Sequence, residues 1–144
     1  MAGDIWEMAV EEYLTMDRGL FLNPQYVIGT PGEWEASADF LALAFPERIA
    51  WMVEVTKAPR PALYSKIKGF ESDYAPRIRE GLARHKVVPA GGAPADWRIG
   101  LWIFAPKTAL TNIKEQMEKA AVQLHDVTAL DDTLASDAWG KRFR

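Results

Sequence analysis

Two carboxylates stand inside stretches that are otherwise apolar. Asp39 enters the run Phe40-Leu41-Ala42-Leu43-Ala44-Phe45, and Glu54 comes late in Ile49-Ala50-Trp51-Met52-Val53-Glu54-Val55. Leaving even a neutral polar group buried without a partner costs roughly 2–7 kcal/mol, so acids at such positions need compensation. A bound cation is one form of it, and hard divalent ions such as Mg2+ favour oxygen ligands. Two carboxylates on a divalent ion would orient a water and neutralise a phosphate, which is the chemistry of metal-assisted phosphodiester hydrolysis. The competing reading is structural: Asp39 as a turn cap where a strand starts, and Glu54 in a salt bridge to a lysine on a neighbouring helix.

For the two acids to meet, their segments must pair. Pro46-Glu47-Arg48 is a turn signal between two apolar runs, so residues 37–57 read as a β-hairpin that brings Asp39 across from Glu54. Alternation puts Ala50, Met52, Glu54 and Thr56 on one face and Trp51, Val53, Val55 and Lys57 on the other. By that parity Lys57 points away from Glu54 unless a bulge re-aims it. The helix that follows carries an apolar stripe, Leu63, Ile67, Phe70, Tyr74, Ile78 and Leu82. With Leu63 at zero and about 100° per residue, the stripe from Leu63 to Ile78 spans roughly −20° to +60°, and Leu82 drifts on to about +100°. Lys66 then falls near −60°, at its edge, and Lys68 near 140°, in solvent, by the same arithmetic. Lys66 can flank the acids, or it can be a snorkelling lysine whose stem covers apolar surface.

The rest of the chain frames this hairpin. Asp4 to Asp17 reads as a helix, with Asp4 as N-cap, Glu7 as capping-box partner and Gly19 closing it. Phe21 to Ile28 reads as a strand, and Pro24 within it marks an edge or a bulge. Pro59 and Pro61 launch the long helix, which Pro76 must kink or split, with Ser72 or Asp73 available as a cap. Residues 89–94 form a loop rich in proline and glycine. Trp97 to Phe104 is apolar on both faces, as a central strand would be. Thr108 can cap a last helix bearing Leu110, Ile113 and Met117, and a short strand from about Val127 to Leu130 follows, before a peripheral tail with Trp139 and Phe143. The expected architecture is therefore α/β, one domain over residues 1–144, with a mixed sheet flanked by helices.

Composition narrows the functional classes. The 144 residues include no cysteine, which excludes disulfides and thiolate metal sites. No run approaches membrane-spanning length and the acidic start lacks a signal-peptide core, so the expectation is a cytoplasmic protein with no membrane partner. A net charge of −3 weighs against a dedicated nucleic-acid binder. Basic residues nevertheless gather in the middle third, at Lys57, Arg60, Lys66, Lys68, Arg77, Arg79, Arg84 and Lys86, as a phosphate-facing patch or as a solvated helix face. His85 and His125 lack zinc-ligand spacing, and Gly91-Gly92 is not followed by a P-loop lysine. Trp34, close to the acids, could serve as core or as a base-stacking platform.

The order α-β-β-β-α-β, with an acid opening one strand and another late in the next, resembles the PD-(D/E)xK nuclease superfamily over nearly the whole chain. It is most similar to the small Holliday-junction-resolvase-like branch. There a helix glutamate precedes a Tyr-Leu pair by six residues, with a glycine and a short strand after it. Glu7, Tyr13-Leu14, Gly19 and Phe21-Leu22-Asn23 stand at those places. The resemblance implies a restriction-endonuclease-like core (αβββαβ) and a Mg2+ or Mn2+ site made by Asp39, Glu54 and the carbonyl of Val55, with Glu7 as a further ligand or support. It implies DNA as the partner of an active form, and a homodimer is compatible with it. The sequence departs from the pattern at Thr56, where the family has lysine. Lys57 comes one residue late, and Lys66 corresponds to members whose lysine has moved to the following helix. Two functions are therefore expected as alternatives: a metal-dependent DNA nuclease, or a degenerate relative that binds nucleic acid or protein without cutting.

Overall fold

The computed structural model describes residues 5–30, 32–84 and 96–135. Asp4, His85, Lys86, the 89–94 loop, Trp139 and Phe143, which figured in the sequence reading, lie outside the described residues. In chain order the elements are α1 (Ile5–Glu12), β1 (Phe21–Gly29), β2 (Glu35–Ala44), β3 (Ile49–Val55), α2 (Pro61–Gly69), α3 (Ala75–Arg84), β4 (Arg98–Ala105), α4 (Leu110–Lys119), β5 (His125–Ala129) and α5 (Leu130–Leu134). The five strands form one mixed sheet in the order β1-β2-β3-β4-β5. The first three run antiparallel through two hairpins, and the last two join in parallel through helical crossovers.

The sequence signals act as their chemistry requires. Pro46 starts the turn between β2 and β3, and Arg48 ends it with φ +56 and its N–H on the Phe45 carbonyl at 3.2 Å. Pro24 sits on an edge strand, where the missing N–H costs no ladder bond on the open side. β4 is buried at every position after Arg98, because the sheet continues on both sides of it and helices cover both faces. One face carries the larger core, in which Leu41, Met52, Leu101 and Ile103 meet Leu63, Ile67, Phe70, Ile78 and Leu82 of the α2–α3 region and Ile113 and Met117 of α4. The other face packs Phe40, Val53, Trp102 and Phe104 against Val10 and Leu14 of the first helical region and Leu130 of α5.

Pro76 does not split its helix. A wide π turn, Phe70–Tyr74, links α2 to α3 and is closed by the Ala75 N–H on the Phe70 carbonyl. Widening the helix just ahead of the proline eases the clash of its ring with the carbonyl four residues back. Ser72 and Asp73 are consequently not caps: the Ser72 hydroxyl donates to the Gly69 carbonyl, and Asp73 faces Arg77. Thr108 is not a cap either, because a short 3-10 turn, Lys107–Ala109, leads into α4 with no side-chain cap. α5, whose Leu130 the sequence reading placed in the short strand and whose later residues it placed in the peripheral tail, is a helical turn on the smaller core.

Candidate functional site

β2 and β3 stay paired only as far as Phe40 and Val53. Beyond that point β3 continues beside β4, with Glu54 against Ile103 and Val55 against Phe104, while β2 continues beside β1. The sheet therefore splits between β2 and β3, and the split falls at Asp39 and Glu54. Splitting a sheet strands backbone groups that must find other partners. Here the two acids provide them. The Val55 N–H donates to Asp39 Oδ2 at 2.7 Å, and the Asp39 N–H donates to Glu54 Oε2 at 3.2 Å. Each carboxylate thus accepts from a backbone N–H at the split.

Lys66, from α2, closes the arrangement. Its ammonium contacts Glu54 Oε1 and also donates to the Ser37 carbonyl at 2.8 Å, so it spans β2 and β3 at the split. The helical wheel anticipated a position at the edge of the sheet-facing stripe, and Lys68 is exposed as that wheel implied. The ion pair with Glu54 is also the contact that the structural reading of Glu54 required. Both readings converge on the same lysine.

Glu54 retains only 6 % exposure, and its carboxyl is pushed up to about 7. Burial is the main cause, and the Asp39 charge adds to it. The Lys66 ammonium and the Asp39 N–H pull the other way without cancelling the desolvation. Tyr74 lies within the same electrostatic neighbourhood: burial raises its phenol first, and Lys66 and Glu54 act on it in opposite senses. Sequence reasoning assigned Tyr74 to the apolar stripe alone. The stripe spacing gave no sign that a π turn would bring its hydroxyl end toward the acids.

A cleft of about 340 Å³ opens onto this group, lined among others by Asp39, Glu54, Val55, Lys57, Arg60 and Lys66. Strand parity sent the Lys57 side chain to the far face, but Lys57 itself borders the cleft. β3 ends at Val55, the chain bends at Lys57, and Lys57 lines the same cleft as Glu54. Parity governs a residue only while its strand continues. Arg60, just before α2, also lines the cleft and was named only as one of a basic group. Thr56, where the superfamily pattern has lysine, lines it too, with its hydroxyl on the Ala58 carbonyl at 2.9 Å. Glu7 is not among the lining residues; it lies on α1, and the first helical region packs on the other face of the sheet through Val10 and Leu14. Trp34 packs edge-on against Tyr74 at 5.1 Å and carries the Arg77 guanidinium over its ring at 4.2 Å, so its ring already has protein partners.

Among the described residues no group of three or more acidic or histidine side chains is placed to hold a metal ion. The hard-oxygen donors are the two carboxylates, and Mg2+ sites commonly use only one or two, filling the remaining positions with water and substrate phosphate. No helix among the described residues is long and apolar enough to cross a membrane. Comparison of the chain with protein-family models, with curated proteins and with solved structures returns no match.

Proposed function

We propose that this chain is a restriction-endonuclease-like domain that hydrolyses DNA phosphodiester bonds with Mg2+ or Mn2+. The observation that carries the reading is the meeting of Asp39, Glu54 and Lys66 in one cleft, where β2 leaves β3. Asp39 and Glu54 would hold the metal. The Val55 carbonyl is suited to join them, because N–H and C=O of one strand residue issue to the same side and the Val55 N–H faces Asp39. When bound, the ion supplies a polarised water and neutralises charge on the scissile phosphate. The protein groups do the rest. Lys66 would hold charge on a phosphate oxygen, standing in for the lysine absent at position 56. Lys57 and Arg60, on the cleft wall, offer positive charge to the neighbouring backbone phosphates.

One observation favours the second reading, a binding module of the same fold that does not cut. The Lys66 ammonium is already paired with Glu54, so that acid has a protein cation beside it without metal. Nicking of supercoiled plasmid, with Mn2+ titrated by calorimetry in parallel, separates the two. The nuclease reading expects nicking that requires Mg2+ or Mn2+ and is lost, together with Mn2+ affinity, in the Asp39→Asn/Glu54→Gln double variant. DNA binding by the wild type without cleavage and without Mn2+ affinity supports the binding module. Equal Mn2+ affinity in wild type and double variant shows that the acids are structural.

A further inference from the structure

The split at the site has a counterpart in β1. Alternation along one strand should keep Leu22, Tyr26 and Ile28 on a single face. Instead Leu22 packs on the smaller core, while Tyr26 and Ile28 belong to the larger. β2 changes face in the same way, with Phe40 in the smaller core and Ala38 in the larger. The register offset is the same on both sides of the change, with Pro24 paired to Phe40 and Tyr26 to Ala38, while the pair between them is missing, so both strands turn over at one level, at Gln25 and Asp39. Gln25 has φ +50, in the left-handed region that non-glycine residues rarely enter. Its side chain is exposed, so its conformation and not its side-chain packing is what the fold uses there.

We propose that Gln25 is a positioning residue: its left-handed backbone turns β1 and β2 over together and so delivers the Asp39 carboxylate to the Val55 N–H. Strain held in a rare backbone conformation persists only where the surrounding structure enforces it, and here it lies level with Asp39, one of the two acids that bridge the split. Without the turn, residue 39 would follow the alternation of Leu41 and Leu43, and β2 would continue beside β3. The consequence for metal binding rests on the nuclease reading, whereas the consequence for Val55 does not.

The test replaces Gln25 by valine, whose β-branch tolerates positive φ poorly, and by glycine, which adopts it freely. Amide hydrogen exchange reads Val55 directly. The expected result for Gln25→Val is exchange at Val55 faster by about tenfold or more, set by the cost of a left-handed backbone. Thr56 and Leu101 should keep their protection, because their N–H groups donate to Phe104 and Leu124 carbonyls away from the split. Mn2+ affinity should fall alongside, and Gln25→Gly should restore both. If the valine variant does not fold, Gln25→Ala carries the same comparison against Gln25→Gly. Unchanged Val55 exchange in the folded variant overturns the proposal, as does a glycine variant impaired as much as the valine one. Absence of Mn2+ binding in the wild type defeats the nuclease reading but leaves the Val55 comparison intact.

Discussion

Replacing Glu54 by glutamine should make the protein's stability less dependent on pH, in a direction that the burial of Glu54 dictates. The carboxyl moves from its ordinary 4.5 to about 7 on folding. The folded state therefore keeps a proton through the window from about 4.5 to about 7 that the unfolded chain has already released. Wild-type stability is free of this penalty below the unfolded pKa and falls as pH rises through the window. The penalty is complete once pH exceeds the folded pKa. At about 1.4 kcal/mol for each tenfold change in proton affinity, the shift is worth about 3 kcal/mol. Glutamine resembles the protonated acid at every pH and has no such slope. Urea unfolding of both proteins in metal-free buffer, at pH 4 and pH 8.5, gives two stability differences. The variant should gain about 3 kcal/mol on the wild type between them. Any constant offset, such as a poorer fit of the glutamine amide against Lys66, cancels in that comparison. Parallel pH profiles would refute the argument. A reversed sign would show that the Lys66 pairing outweighs desolvation, so that the fold prefers the ionised acid.

The remaining predictions concern which group acts as the lysine. If the wild type cleaves DNA, Lys66→Ala should lower the rate of the chemical step by orders of magnitude in single-turnover assays. Lys68→Ala, on the exposed face of α2, should change mainly the salt dependence of binding, and equal cleavage by Lys66→Ala and wild type would remove Lys66 from the mechanism. If the wild type does not cleave, Thr56→Lys should confer metal-dependent nicking, because position 56 opens onto the same cleft as Glu54; a folded, metal-binding Thr56→Lys protein without nicking would count against a disarmed nuclease.

The parts of the fold legible in the sequence were those written in residue type at fixed spacing. Pro46 announced the β2–β3 turn, Pro24 the edge strand, and the uninterrupted apolar run before Phe104 the central position of β4. The α2–α3 stripe was legible for the same reason, and with it the place of Lys66. What could not be read depends on where regularity stops. Nothing in Gln25 signals a left-handed backbone, since glycine or asparagine would be the residues to suggest it. Ala38 is small enough to suit either face, so the change of face in β2 left no mark in the hydrophobic pattern. The place of Lys57 on the cleft wall was not legible because parity says nothing two residues past the end of β3. Tyr74 was taken for packing alone because a π turn alters the helical phase without any change of composition.

The proposed metal site would give the acids at the split a double task, and this governs how their roles can be separated. Asp39 accepts the Val55 N–H and Glu54 accepts the Asp39 N–H, so either carboxylate is part of the backbone's hydrogen-bond satisfaction before any ligand arrives. Removing a side chain by alanine would strand a donor and cost stability of about 1–3 kcal/mol, whatever the metal does. An amide keeps an acceptor oxygen for the N–H and removes the charge, at position 54 with the further change that its NH2 group faces the Lys66 ammonium. Loss of metal affinity in the amide variants is therefore attributable to charge, whereas loss in alanine variants would mix charge with an opened strand end. The same double use explains why acids occur in strands this apolar. A neutral acceptor would satisfy the split as well and with less desolvation. Two carboxylates, one of them paired with the Lys66 ammonium, are what the proposed exchange of that counter-ion for a metal would require.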